Sequence, residues 1–267
     1  MFEYILASKG GFNMIAPDPV LFTVFGIDIM WYGALIGTGF LLAIGISYYR
    51  APQYGIDRDF ILTLTIGIIP SALIGARLYY VIFSWENYAD DLSKIFDVRS
   101  GGLAIHGGLI LSFIVGYLLC RRYKVNFISA ADLIAPTIAL AQSIGRWGNF
   151  FNEEAHGEPT DLPWAQIIDG VGYQPTFLYE SIWCMLLFIF LIYMSNHRQK
   201  FKGQIICLYG ILYSIERFFV EGLRTDSLMI GPLRQAQLIS ILIIAVCVVI
   251  YIVLKRKNES LDKGEIQ

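Results

Sequence analysis

Phe127 to Ile144, FISAADLIAPTIALAQSI, runs with no linker into Gly145-Arg146-Trp147-Gly148-Asn149-Phe150-Phe151-Asn152-Glu153-Glu154-Ala155-His156-Gly157. The first part has the length and apolarity of a helix that crosses a bilayer. The second places an Arg, two Asn, two Glu and a His at the edge of the hydrocarbon, where polar side chains are costly and mark a task. Its three glycines point to backbone that turns tightly or is closely approached. Together they read as a site for a charged ligand that itself lives in the membrane.

The same pattern extends outward over all 267 residues. Seven apolar segments, Ile29–Tyr49, Phe60–Phe83, Leu103–Cys120, Phe127–Ile144, Pro175–Ser195, Gly203–Val220 and Ala236–Leu254, are each long enough to span ~30 Å of hydrocarbon as a helix. Charged residues make up 16% of the chain, against about 25% in soluble domains. None of the segments shows the alternation of a membrane β-barrel. The fold class is therefore an all-α, polytopic membrane protein. The first span lacks the basic flank of a cleaved signal peptide, so it is expected to stay in the mature chain. Cys120, Cys184, Cys207 and Cys247 all fall in or at the ends of apolar segments and read as buried small hydrophobes, with neither disulfide nor metal implied. A single domain over 1–267 is expected, with an interfacial segment at 1–28 and a small extracytoplasmic cap built from 145–174.

Charge layout sets the orientation. The loops after the first, third, fifth and seventh segments hold Arg50, Arg58, Arg121, Arg122, Lys124, Arg198, Lys200, Lys202, Lys255, Arg256, Lys257 and Lys263, with only five acidic residues, Asp57, Asp59, Glu259, Asp262 and Glu265. The positive-inside rule then puts the N-terminus outside and the C-terminus in the cytoplasm, in agreement with seven crossings. The block at 145–157 falls on the outer face.

Four polar clusters share that face. His106-Gly107-Gly108 opens the third span; the histidine either bonds a neighbouring helix or moves a proton. Arg146 and Asn149 share a helical face, and Arg is the natural two-pronged donor to a phosphodiester, unless it snorkels as an anchor. In Glu216-Arg217-x-x-x-Glu221-x-x-Arg224, residues 217, 221 and 224 share one face, either as a self-neutralising stripe or as arginines held toward an anion. Gln174-Pro175-Thr176 enters the fifth span with a candidate cap in Thr176 or Gln174, and Glu180 inside that span needs an arginine partner. Arg77 is a further candidate for that partnership or for a lipid. Trp31-Tyr32-Gly33 lies at the same level and suits an aromatic belt. One leaflet thus collects Arg77, Arg146, Arg217 and Arg224 with a histidine and several amides, which fits an anionic phospholipid headgroup. Residue reasoning reaches a phospholipid-handling membrane protein; a non-enzymatic lipid-binding or transport protein stays open beside an enzyme. Transport is disfavoured by the lack of repeat symmetry between the halves. An intramembrane serine protease is disfavoured because Ser71 and Ser143 lack the surrounding motif.

Gly-Arg-x-Gly-Asn-Phe-x-Asn-x-Glu-x-x-Gly, read at 145–157, resembles the signature of the bacterial phosphatidylglycerol–prolipoprotein diacylglyceryl transferase family. Trp31-Tyr32-Gly33, Gly75-Ala76-Arg77, His106-Gly107-Gly108, Pro175 to Glu180 and Arg217 to Arg224 follow in that family's order. The resemblance implies seven spans in the bacterial plasma membrane and a site facing the outer leaflet. It also implies transfer of the diacylglyceryl group of phosphatidylglycerol to the lipobox cysteine of a prolipoprotein, with release of glycerol phosphate. No metal or cofactor and no nucleic acid is implied. By position, Arg146 and Arg217 would clamp the phosphate and Asn149 would orient the headgroup. Glu154 and Gly157 would complete the signature, Glu221 would position Arg217, and Arg224 would extend the basic face. Tyr32 matches a functional family tyrosine, and His106 would be the base for the acceptor thiol. Three departures stand out: Gln174 where relatives often have His, Glu153 where Gly is usual, and a short insert at 158–173.

Overall fold

A computed structural model describes residues 5–8, 11–97, 101–225 and 229–264. Seven long helices match the seven apolar segments: α1 Trp31–Arg50, α2 Arg58–Phe83, α3 Ile105–Arg122, α4 Phe127–Phe151, α5 Thr176–His197, α6 Gln204–Glu221 and α7 Gln235–Gly264. Six of them, all but α6, are long and apolar enough to cross a membrane. α6 carries Glu216, Arg217 and Glu221 within 18 residues, which sets it apart by composition. α4 is the most enclosed of the six, with 56% of its apolar window buried, against 6% for α7, whose large side chains face outward over most of its length.

The chain divides into two compact units, Ile46–Ala130 and the remainder. In the first, α2 and α3 lie side by side. Asp57 begins α2 by accepting the Asp59 amide at 2.9 Å. The two helices approach closely at Gly75 and Gly107. A Cβ on Gly107 would sit 2.2 Å from the Gly75 carbonyl oxygen, and one on Gly108 2.9 Å from that of Ala72. The glycines after His106 therefore serve a backbone contact, the small-residue crossing common in membrane helices.

In the second unit, Ala135 and Ala139 of α4, Leu187 and Leu191 of α5 and Ile205 of α6 form the core. Ser143 and Ser181 exchange hydroxyl-to-carbonyl hydrogen bonds across α4 and α5, at 2.8 and 2.9 Å. Asp132, fully buried in α4, accepts the amides of Gly203 (2.6 Å) and Ile206 (2.9 Å) and the Gln199 side chain (2.7 Å). It thereby caps α6 from another helix, since Gly203 has no side chain with which to do so. The four cysteines are free thiols and three of them are buried.

The N-terminal segment is built of strands, which the sequence reading does not anticipate. It forms strands β1 Ile5–Ser8, β2 Gly11–Ile15, β3 Val20–Val24 and β4 Ile27–Met30. β2 pairs in parallel with β5 Gln166–Ile168, which pairs with β6 Val171–Tyr173 to complete a four-stranded sheet, β1-β2-β5-β6. Asp169 and Gly170 both have positive φ (50° and 81°), as a two-residue hairpin turn requires. A second hairpin, β3–β4, leads directly into α1.

The crossing of α2 and α3 is testable. Gly107→Ala drives a methyl into backbone and should cost about 3 kcal/mol, seen as a fall of several degrees in the thermal midpoint of the detergent-purified protein. An unchanged midpoint would mean that the helices have room to part.

Candidate functional site

A carboxylate inside a membrane helix is tenable only with partners, because desolvation alone costs several kcal/mol. Glu180, in the second turn of α5, has two. Its Oε2 meets Arg146 Nε of α4 at 2.5 Å, and its Oε1 meets Arg217 Nη1 of α6 at 2.5 Å. Arg217 Nη2 in turn reaches Glu221 Oε2, one turn further along α6, at 2.5 Å. The row Arg146–Glu180–Arg217–Glu221 thus joins three helices and balances two positive with two negative charges. Glu180 is almost sealed, at 3% side-chain exposure, while the arginines keep 21% and 20%. A guanidinium carries five N–H donors, so each arginine has donors beyond those spent on carboxylates. A partly exposed, doubly held guanidinium pair is suited to an incoming phosphate.

Helical spacing explains the convergence. On α6, Tyr209, Tyr213, Arg217 and Glu221 recur every four residues and share a face; on α4, Gln142, Arg146 and Asn149, spaced by four and then three, also share one. Tyr213 Oη lies 3.5 Å from Arg146 Nη2, Tyr209 donates to Gln142 Oε1 at 2.9 Å, and the two tyrosine rings stack at 5.6 Å. α1 closes on α4 through the signature glycines. A Cβ on Gly148 would fall 2.5 Å from the Tyr32 ring, and one on Gly145 3.1 Å from Ile36. Trp31 stacks on Phe151 at 4.6 Å. Tyr32 therefore sits beside the turn of α4 that carries Asn149.

α4 continues beyond Ile144, where the apolar segment stops, through Asn149 and ends at Phe151. Beyond it the chain folds back: Asn149 donates to Glu154 Oε1 at 2.8 Å, and the Glu154 amide returns to the Asn149 carbonyl at 3.1 Å. Glu153 and Ala155 both take left-handed backbone (φ 52° and 59°), strained for residues with a Cβ. That conformation would suit glycine at position 153; the Glu153 side chain is exposed. Gly157 donates its amide to the Gln174 carbonyl at 2.9 Å and bridges Arg224 by backbone. A Cβ there would lie 2.8 Å from that of Gln174 and 3.0 Å from the Leu223 carbonyl oxygen. The last glycine of the block thus lets it dock between the entry to α5 and the exit from α6.

Two sequence expectations are revised. Arg77 is no partner for Glu180: its five donors go to the carbonyls of Lys94, Ile95, Asp97, Gly101 and Gly102, so it organises the α2–α3 connection and has none left for a phosphate. Arg99 of that connection lies outside the described residues. Thr176 does not cap α5; its hydroxyl donates to the Ala155 carbonyl, and Pro175 occupies the cap position. Ser71 and Ser143 give their hydroxyls to the carbonyls of Ile68 and Ser181, which leaves the protease reading without a nucleophile at either position. His106 is exposed in the first turn of α3, with its ring 6.1 Å from that of Tyr79. It and Arg77 belong to the Ile46–Ala130 unit; Tyr32, Arg146, Asn149, Glu154, Gly157, Glu180, Arg217, Glu221 and Arg224 belong to the other. Tyr213, Gln142 and Asp132 were not singled out from sequence. The four-residue spacing before Arg217 was the available signal for Tyr213, and a lone Asp in an apolar span was that for Asp132.

The family model for prolipoprotein diacylglyceryl transferase matches residues 19–253. Among curated proteins, the phosphatidylglycerol–prolipoprotein diacylglyceryl transferase of Finegoldia magna is 51% identical over 90% of this chain and 97% of its own. The protein of the same name from Clostridioides difficile is 50% identical (91% and 98% covered), and that from Bacillus cereus strain Q1 is 44% identical (94% and 96%).

Two substitutions probe the geometry. Glu180→Leu leaves two guanidinium groups facing each other and should cost about 3–5 kcal/mol, read as loss of thermal stability; a wild-type midpoint would show that Glu221 and water suffice. Glu153→Gly relieves left-handed strain and should leave stability unchanged or raise it by up to ~1 kcal/mol; a loss would mean that the Glu153 carboxylate has a structural task.

Proposed function

The chain belongs to the prolipoprotein diacylglyceryl transferase family, and on that footing we propose how its residues carry the reaction. The protein is a multi-pass membrane transferase that moves the diacylglyceryl group of phosphatidylglycerol onto a prolipoprotein. In our reading it crosses the bacterial plasma membrane seven times. The N-terminus lies outside, the C-terminus is cytoplasmic, and the β1-β2-β5-β6 sheet caps the outer face. The charge layout of the loops supports that orientation.

The observation that carries the mechanism is Glu180 held between Arg146 and Arg217. The phosphate of phosphatidylglycerol sits on the outward donors of the two arginines, its tails remaining in the bilayer. The lipobox cysteine thiolate attacks the diacylglycerol carbon that bears the phosphate. The S–C bond forms as the C–O bond breaks, and its electron pair leaves with glycerol phosphate. Charge grows on the phosphate during this step, so donors already fixed by Glu180 and Glu221 stabilise the transition state more than the bound lipid. Asn149, oriented by Glu154, holds the headgroup; Gly157 and Arg224 set the loop and extend the basic rim; Tyr32 packs beside them. A thiol with pKa of about 8.5 needs a base near neutrality, and His106 is that base.

The test is a purified-protein assay with phosphatidylglycerol vesicles and a lipobox peptide, with diacylglyceryl addition to the cysteine read by mass spectrometry. Wild type should give adduct, Arg146→Ala and Arg217→Ala should lose at least ~100-fold in rate, and His106→Gln should lose a comparable factor that recovers toward high pH. Full activity of His106→Gln would remove it as the base. Folded wild-type protein that binds phosphatidylglycerol but gives no adduct would favour non-enzymatic lipid binding.

A further inference from the structure

The reaction as described leaves one buried acid unused. Glu216 precedes Arg217 on α6, is 5% exposed, and both its carboxyl oxygens are buried with no hydrogen-bond partner among the described residues. It lies one helical turn beyond Tyr213, whose hydroxyl meets Arg146. Near it lie Arg146 on α4, Glu180 and Cys184 on α5 and Arg217 on its own helix. A carboxylate in that position would normally take an arginine. Here both nearby arginines are committed to Glu180 and Glu221.

Charge counting decides what Glu216 does. Arg146 and Arg217 are balanced by Glu180 and Glu221, so the four-residue row is neutral. A bound phosphodiester adds one negative charge, and an ionised Glu216 would add a second beside arginines, Arg146 and Arg217, that already face carboxylates. As a neutral acid, Glu216 instead has an O–H that needs an acceptor, and the phosphate supplies one. A carboxylic acid kept neutral in an apolar site so that it can donate a hydrogen bond is a known device for stabilising developing negative charge.

We propose that Glu216 is a further catalytic residue: its carboxylic acid donates a hydrogen bond to the phosphate of the donor lipid and passes its proton to glycerol phosphate as that group departs. This rests on the reading that the phosphate occupies Arg146 and Arg217. The step balances. The thiol proton goes to the base and then to solvent, the S–C bond forms, the C–O electron pair goes to the phosphate oxygen, and that oxyanion takes the Glu216 proton. Glu216 regains a proton from water after product leaves.

The experiment uses the full-length protein in nanodiscs and compares wild type with Glu216→Gln, whose amide keeps an N–H donor but has no proton to give. Turnover is followed across pH, and so, without peptide, is the amount of phosphatidylglycerol retained in competition with phosphatidylcholine. Wild type should lose both turnover and phosphatidylglycerol retention on the alkaline side, as an ionised Glu216 repels the phosphate. Glu216→Gln should turn over about ten- to a hundredfold more slowly at neutral pH and show neither alkaline loss. The acid limb, set by the thiol and its base, should be common to both. If Glu216→Gln does not fold, Glu216→Leu serves, with a larger rate loss and the same absent alkaline limb. An alkaline limb that persists in the variant overturns the proposal. Wild type without adduct overturns the transferase mechanism instead, and the retention profile then still decides whether Glu216 meets the phosphate.

Discussion

Everything at the site depends on placing four ionised side chains inside a helical membrane protein without leaving any of them alone. Glu180 solves this by lying between two arginines from different helices, and Glu221 completes the balance on Arg217. The arrangement is mutually dependent: remove Glu180 and the arginines repel; remove Arg217 and Glu221 loses its ion-pair partner while Glu180 keeps only Arg146. It also creates function, because guanidinium groups held by carboxylates at one side present their remaining donors in fixed directions at the other. Preorganisation of that kind avoids the reorganisation that water would impose on a developing oxyanion.

The helices were legible because the bilayer imposes a length, and seven segments of that length stand out of the sequence. The polar clusters were legible for a related reason: a charge in an apolar run must be explained. What the cost of burial does not reveal is the direction in which a long side chain turns. Arg77 and Arg146 look alike in sequence, each after a small residue in a membrane helix. One spends five donors on loop carbonyls and the other meets a carboxylate. Asp132 escaped notice because its partners lie some seventy residues away, in a turn that carries no capping side chain of its own. The N-terminal strands are short and one of them pairs with Gln166–Ile168, so their register depends on a distant segment.

Glycine placement ties the two levels together. Gly145 and Gly148 bring α1 against α4, Gly75 and Gly107 bring α2 against α3, and Gly157 lets the signature loop dock beside Arg224. In each place a backbone or ring occupies the space that a side chain would need. The signature at 145–157 is thus as much a packing code as a chemical one: its glycines set the distances at which Arg146 and Asn149 work.

Asp132 has a mechanical consequence. It fastens α4 to the turn between α5 and α6 at the end far from Arg146, whereas at the other end the helices are joined by ion pairs. About 21 Å of helix, 14 residues at 1.5 Å each, separates the anchor from the arginine. Pro136, between them, removes the hydrogen bond to the Asp132 carbonyl and softens the shaft. The arrangement is a lever with its fulcrum at Asp132: a swing of about three degrees moves Arg146 by about 1 Å over that rise. The far end of that lever lies where a two-tailed lipid must enter and a tailless glycerol phosphate must leave.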